Sequence, residues 1–389
     1  MSTQEPSSAP LSTPSSIQEP LFRAPRAHDD PQRAHPLSRI LRRPIGTVES
    51  IESSALLVGA AVFVIGGVVA LFVFWSRDLP ISGRGSIGEY AAIGGAVTAA
   101  VVFALGRILV GVLPQRDAGA RPPLHLAVFD VVALSVAVGL IALLAWTAIS
   151  DVVERSFLGA VVFTLPGAVL AGVALALTAY VVFLTSVQLT SMLLSLVLAV
   201  FLVVGVFTSM LSSSDPLWWQ KNLSALGMTD DLSAFAFNLT LIVGGAIVVI
   251  IARVATAGIA TPDAASRRGR DLVRWAFVLI GVFLGCVGVF PVDRFFVVHN
   301  SVATGMAVVF AALVVGLRWW VPAMPRVFIL LGYVYVGVVI VLAVFFATGY
   351  YNLTAVELVA AILIFSWIIL FLRNSQAIEP RRSHPENAA

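Results

Sequence analysis

Charged residues are scarce in this sequence. Only 12% of its 389 residues are charged and 59% are hydrophobic, whereas about a quarter of the residues in an ordinary soluble domain are charged. This composition excludes a soluble enzyme. The chain after Ser53 is almost continuously apolar, and a membrane-spanning helix needs about 20 apolar residues. The sequence therefore predicts an all-α polytopic membrane bundle of about ten helices.

Lysine and cysteine are each present once. Apart from Lys221, every cationic residue is an arginine, and the arginines lie between the apolar runs rather than on one soluble face, which argues against a nucleic-acid partner. Cys286 has no second thiol to pair with, so an intrachain disulfide and a cysteine-based metal site are excluded. We expect no cofactor and no metal. Membrane lipids are the expected partners, and other membrane proteins are an open alternative.

The apolar runs divide the chain into regions. Residues 1–53 are polar and rich in proline and serine, which predicts a disordered cytoplasmic tail. A four-helix membrane region is predicted over 54–186, a six-helix membrane domain over 187–373, and a second cytoplasmic tail over 374–389. The predicted spans are 54–75, 89–113, 124–149, 157–183, 187–211, 234–256, 273–291, 297–317, 327–348 and 354–373.

The fourth and fifth predicted spans contain a dividing turn and an internal proline. The stretch from 157 to 211 is too long for one helix, and the polar residues from Thr185 to Thr190 predict the turn that divides it. Pro166 falls inside the fourth predicted span, where it would kink the helix.

The cationic residues predict the orientation. With both termini inside, nineteen of the 24 lie on the cytoplasmic side and five outside. This is a strong positive-inside bias. We expect a multi-pass protein of the plasma membrane.

Few charged residues fall within the predicted spans. Arg107 in the second span and Asp130 in the third lie at similar depth, roughly 10 Å from the membrane surface. Charges in hydrocarbon are costly, so we expect the two to face each other as an ion pair that pins adjacent helices. A role in moving protons or substrate, and simple snorkelling to the surface, are the alternatives.

The longest predicted outer loop joins the fifth and sixth spans. It contains Asp215, Trp218, Trp219 and Lys221. Tryptophan rings beside a lysine suit the lipid headgroup layer, which favours a short interfacial helix. An ordinary capping loop is the alternative.

A second outer group of titratable residues consists of Asp293, His299 and Glu357. A histidine with two carboxylates has the ligand types of a metal or acid/base site, but no motif of known catalytic spacing accompanies it. We therefore expect a structural hydrogen-bond network between the seventh, eighth and tenth helices, with metal or hydrolytic chemistry as the alternative.

Three glycines of the seventh span share one helix face. Gly281 and Gly285 have GxxxG spacing, and Gly288 follows one turn later. Such spacing permits close approach of a neighbouring helix. We expect packing inside the bundle, with dimerisation as the alternative.

Several short motifs of the second half occur in a fixed order. They are Asn222-Leu-Ser224-Ala-Leu-Gly227, Phe237-Asn238, Gly288-Val-Phe-Pro291-Val-Asp293, His299 and Glu357. In this order residues 187–373 resemble the bacterial six-helix family of unknown function numbered nine-nine-eight, which is similar to the DRAM-type multipass membrane proteins, regulators of autophagy, phosphoinositide signalling and lipid asymmetry.

The resemblance implies a fold and a membrane setting rather than a reaction. It adds Asn222, Ser224 and Asn238 to the outer polar cluster, and it brings no catalytic residues. Ala225 stands where the eukaryotic relatives commonly have an acidic residue, which weakens any carboxylate-dependent role for this loop. The first four helices have no counterpart in the family.

Three functions follow from these observations. The first is a non-enzymatic protein that acts on membrane lipid organisation or on membrane protein partners. The second is a transporter or lipid translocator for an apolar or amphiphilic substrate, although the membrane midplane is almost without ionisable residues. The third is a membrane hydrolase that uses Asp293, His299 and Glu357.

Overall fold

The computed structural model describes residues 48–112 and 124–377, which form ten α-helices and two short 3-10 helices. All ten α-helices are long and apolar enough to cross a membrane, so the predicted polytopic helical bundle is confirmed. The helices are α1 (Val48–Val73), α2 (Ile87–Val112), α3 (Leu124–Ser156), α4 (Thr164–Val187), α5 (Ser191–Ser212), α6 (Leu232–Ala257), α7 (Ala264–Val289), α8 (Phe296–Trp320), α9 (Arg326–Ala347) and α10 (Leu353–Ala377).

Some predicted boundaries were wrong. Residues 48–53, assigned to the tail, begin α1, and α3 continues to Ser156 instead of ending at 149. The helix α4 begins at Thr164 instead of 157, and α7 begins at Ala264 instead of 273. Pro166 is the third residue of α4, so it lies in the first turn, where a missing N–H breaks no helical hydrogen bond and no kink follows. Residues 374–377, assigned to the second tail, complete α10. The rest of the tails predicted over 1–53 and 374–389, residues 1–47 and 378–389, lies outside the described residues.

Consecutive spans run in opposite directions, so the connections after α1, α3, α5, α7 and α9 share one end of the bundle, which we call the loop end. Two of these connections are joined by an isolated antiparallel bridge between Leu79 and Val162. The connection after α5 contains the 3-10 helices η1 (Trp218–Gln220) and η2 (Leu223–Gly227).

The first four helices pack around α4. It lies against both α1 and α2, and α3 packs on α2. The face of α4 that is buried carries Ala168, Ala171, Ala174 and Ala179, and such small side chains let helix backbones approach closely. By contrast, α1 and α2 barely contact each other.

The last six helices pack around α6 and α7, with α10 against α5, α6 and α9. An aromatic core fills the half away from the loop end, where the fully buried Trp367 stacks on Phe328 at 5.0 Å and meets the edge of Phe310 at 5.5 Å. The helix α3 contacts α5 and α6 and so links the two groups of helices.

Candidate functional site

The connection between α5 and α6, residues 213–231, folds back over the loop end of the six-helix group, and we call it the cap. Its 3-10 helix η2 is buried at Ala225, Leu226 and Gly227. Leu226 packs with Phe237 of α6 and with Leu284 and Val287 of α7. Polar side chains from three helices form hydrogen bonds with this buried turn.

His299 of α8 provides the first of these contacts. Its side chain is buried, with Nδ1 2.8 Å from the carbonyl oxygen of Phe290 and Nε2 3.0 Å from Oγ of Ser224 in η2. A carbonyl oxygen only accepts, so in the neutral imidazole Nδ1 carries the proton and Nε2 accepts from the Ser224 hydroxyl. A serine bonded to a histidine has the form of a nucleophile and its base, but here a backbone carbonyl occupies the place of the orienting carboxylate.

Glu357 and Asn238 provide the other two contacts. The Glu357 carboxylate of α10 accepts the backbone N–H of Leu223 at 2.5 Å, and the Asn238 amide of α6 donates to the carbonyl of Gly227 at 3.1 Å. A Cβ on Gly227 would come within 2.5 Å of Oδ1 of Asn238, so this contact requires a glycine. Asn222 also lies here, with its Oδ1 buried and without a hydrogen-bond partner in the part of the chain that the structure describes.

Asp293 does not share the partners of the other two predicted cluster residues. Its carboxylate lies 3.7 Å from Nε of Arg294, which also reaches Asp230 at 3.2 Å. His299 and Glu357 instead bind neighbouring residues of η2. Across the described part of the chain, no group of three or more His, Cys, Asp or Glu side chains is arranged to hold a metal ion.

The exposed edge of the cap contains the predicted interfacial residues. Trp218 packs on the apolar cluster beneath the cap, whereas Trp219 is about half exposed. Lys221 forms an ion pair with Asp215 at 2.9 Å. The hydrogen bond from Lys221 lowers the pKa of Asp215, assisted by the N–H of Leu217. The predicted helix is here a single 3-10 turn.

The predicted ion pair between Arg107 and Asp130 was wrong in its partners. Asp130 of α3 pairs with Arg253 of α6, and Arg107 donates to the carbonyl oxygen of Ser186 at 3.0 Å. The physical reason is the packing of α3 on α6, which places a second arginine at the depth of the carboxylate. The observed pair ties the first four helices to the last six.

The glycine face of α7 packs on α6 within the chain. A Cβ on Gly281 would lie 2.6 Å from the carbonyl oxygen of Gly245, and one on Gly288 would lie 2.6 Å from that of Asn238. A Cβ on Gly285 would meet no atom within 4 Å. The backbone of Gly285 nevertheless lies against Gly245, because a Cβ on Gly245 would clash with it.

A groove that the sequence analysis does not predict lies between α1 and α2, with α4 as its floor. Its volume is 560 Å³. The walls are apolar through most of their length and become polar at the loop end. The apolar lining includes Val62, Ile65, Val69, Val73, Ile93, Val97 and Leu175, and the polar lining Arg77, Ser86, Glu89 and Tyr90.

The polar end of the groove carries two charged side chains, Glu89 and Arg77, which differ in their hydrogen bonds. One carboxylate oxygen of Glu89 accepts the N–H of Gly85 at 2.5 Å. Tyr90 donates its hydroxyl to the carbonyl of Gly66 at 2.8 Å. The guanidinium of Arg77 is exposed and makes no ion pair or hydrogen bond with any side chain or backbone group among residues 48–112 and 124–377.

Two glycines make the groove possible. A Cβ on Gly66 of α1 would lie 2.6 Å from Leu175, and one on Gly94 of α2 would lie 3.0 Å from the same side chain. The Leu175 side chain therefore lies between α1 and α2 at the floor of the groove, close to both glycines. The glycines are a sequence signal, but their meaning depends on knowing that both helices pack on α4.

Comparison with known proteins adds no relative. No protein-family model, no curated protein and no solved structure matches this chain. The resemblance of residues 187–373 to the six-helix family therefore stays a prediction based on its motifs.

Proposed function

We propose that this integral membrane protein is non-enzymatic and acts on membrane lipid organisation by holding a lipid in the groove between α1 and α2. The observation that carries the proposal is the groove itself, which is apolar along its length and charged at one end. An amphiphile has the same division. The proposed partners are accordingly membrane lipids.

The walls of the groove face the surroundings of the bundle. Ile65 and Val97 are exposed over 65% and 60% of their surfaces, and in a spanning helix such surface lies against lipid. On α1 the lining runs from Val62 to Val73, which is about 17 Å at 1.5 Å per residue. That length is close to half of the roughly 30 Å hydrocarbon core, so it suits one acyl chain of one leaflet.

The groove occupies only the loop-end half of the membrane. Its lining stops at Val62 and Thr98, near the middle of α1 and α2. A site of this depth favours binding within one leaflet over passage between leaflets. The arginine bias favours an orientation with both termini inside, in which this would be the outer leaflet of a plasma membrane.

The hydrogen bonds of the cap support a non-enzymatic function. Both ring nitrogens of His299 are occupied, and Glu357 and Asn238 each hold backbone atoms of η2. These groups hold the cap in place instead of converging on an open pocket. The predicted likeness to the DRAM-type proteins, which implies a lipid-related setting, is consistent with the same conclusion.

The proposal is tested by comparing cells that produce the protein with matched cells that lack it. We expect the amount of aminophospholipid labelled by a membrane-impermeant amine reagent to differ between them. Restoring the normal protein should reverse the change, and restoring Val97→Trp, which fills the groove, should not. Identical labelling in all four kinds of cell would refute the proposal.

A further inference from the structure

We infer that the groove binds a phospholipid whose headgroup contains both a phosphate and a primary ammonium, as in phosphatidylethanolamine, with the phosphate on Arg77 and the ammonium on Glu89. This inference rests on the proposed function and names the lipid class. It goes further because an apolar groove alone accepts any acyl chain.

The side chain of Arg77 is available to bind an anionic group. It lines the loop end of the groove, and its guanidinium has no partner within residues 48–112 and 124–377. A guanidinium offers a planar set of donors that matches phosphate oxygens. At the end of an acyl-chain groove, a phospholipid phosphate is the group that reaches this depth.

Glu89 has one carboxylate oxygen available to a ligand. Only one of its carboxylate oxygens is occupied, by the N–H of Gly85, and the other has no partner among the described residues. Arg77 and Glu89 line the same groove but form no ion pair with each other. One positive and one negative group are thus both available to a ligand.

Other headgroups are less complementary to these two residues. A purely anionic headgroup would satisfy Arg77 but would place its extra negative surface beside Glu89. A choline headgroup carries a positive charge without N–H donors, so it cannot hydrogen-bond to the free carboxylate oxygen. An ethanolamine headgroup supplies three ammonium donors beside its phosphate and is complementary to both residues.

The experiment uses the full-length protein purified in detergent and native mass spectrometry of bound lipid. The two probes are phosphatidylethanolamine and phosphatidylcholine with identical palmitoyl and oleoyl chains. We expect one ethanolamine lipid to bind about fivefold more tightly than the choline lipid, which corresponds to about 1 kcal/mol, the net contribution of one hydrogen bond that the choline headgroup cannot form.

Substitutions assign the preference to the two residues. Glu89→Gln retains an oxygen that accepts the Gly85 N–H but removes the charge, so it should bring the preference close to one. Arg77→Gln should weaken both lipids about equally. The matched controls are Arg84→Gln and Glu154→Gln, exposed charges at the loop end that do not line the groove, and both should behave as the unaltered protein.

The outcomes separate this inference from the proposed function. If Val97→Trp displaces the lipid but the unaltered protein shows no headgroup preference, or keeps its preference in Glu89→Gln, the inference is wrong while the groove remains a lipid site. If Val97→Trp leaves the number of bound lipids unchanged, the groove holds no lipid, and the proposed function loses its supporting observation as well.

Discussion

The buried imidazole of His299 is bonded to the hydroxyl of Ser224 across 75 residues of sequence, at a distance of 3.0 Å. This bond joins α8 to the cap, and the second ring nitrogen joins the same helix to the end of α7 through Phe290. Because a buried imidazole that lost either partner would be left unsatisfied, the pair has a measurable effect on stability.

We expect His299→Ala to lower the free energy of unfolding by about 2 kcal/mol and Ser224→Ala to lower it by about 1 kcal/mol. The double variant should be no less stable than His299→Ala alone, since the two changes remove the same bond. Thermal unfolding in detergent micelles measures all three. Effects that simply add would show that the two residues act independently.

Removal of the Glu357 carboxylate should loosen the cap. Glu357→Ala deletes the acceptor of the Leu223 N–H, whereas Glu357→Gln keeps an oxygen at that position. Lys221 is the only lysine of the chain, so a lysine-specific protease cuts only within the cap.

We expect cleavage after Lys221 to become about tenfold faster in Glu357→Ala, because local opening controls access to the peptide. In Glu357→Gln the rate should stay near that of the unaltered protein. Equal rates in the protein and both variants would mean that Glu357 does not hold the cap.

Acid should weaken the start of α6. Asp231 caps this helix by accepting the N–H of Ala234 at 3.0 Å, and hydroxyl bonds from Thr229 and Ser214 help lower its pKa from 3.8 to about 2. A carboxylate with a depressed pKa stabilises the folded state above its ordinary value, and this contribution is lost as the pH falls from 3.8 towards about 2.

The matched variant is Asp231→Asn, which retains a capping oxygen without a charge. It should be less stable than the unaltered protein at neutral pH, and the difference in melting temperature should shrink as the pH falls from 3.8 to about 2. A difference that stays constant over this range would exclude a contribution from the charge.

Packing of α7 on α6 is tested by two neighbouring glycines. Gly281→Ala places a methyl group 2.6 Å from the Gly245 carbonyl oxygen, while Gly285→Ala meets no atom within 4 Å. We expect the first to cost about 1–3 kcal/mol, as overpacking does, and the second to be tolerated. Similar melting temperatures for the two variants would contradict the observed helix contact.

Much of this architecture follows from local composition. The ten spans and the turn between α4 and α5 are fixed by the lengths of apolar runs and by a polar patch, so each could be predicted without knowing its neighbours. The boundaries that were wrong at the start of α1, the end of α3 and the start of α7 lie where a helix continues into polar sequence and hydropathy loses its contrast. The start of α4 was wrong for the opposite reason, because the connection before it is itself apolar.

The pairing of side chains between helices could not be predicted in the same way. The depths of Arg107 and Asp130 follow from residue counting, but the choice between Arg107 and Arg253 depends on which helices are neighbours. The groove has the same origin, because Gly66 and Gly94 acquire their role only when α1 and α2 pack on α4. The depth of a residue in the membrane depends on its own helix alone, whereas its partners depend on which helices pack together.

The length of α3 has a consequence for the membrane around the protein. Its 33 residues extend about 50 Å, well beyond a hydrocarbon core of roughly 30 Å, so α3 must tilt or project from the bilayer. Its last turns carry Asp151, Glu154 and Arg155, which suits a projection into the headgroup layer at the loop end. Because α3 also links the two groups of helices, a bilayer of different thickness that tilted α3 would move both groups.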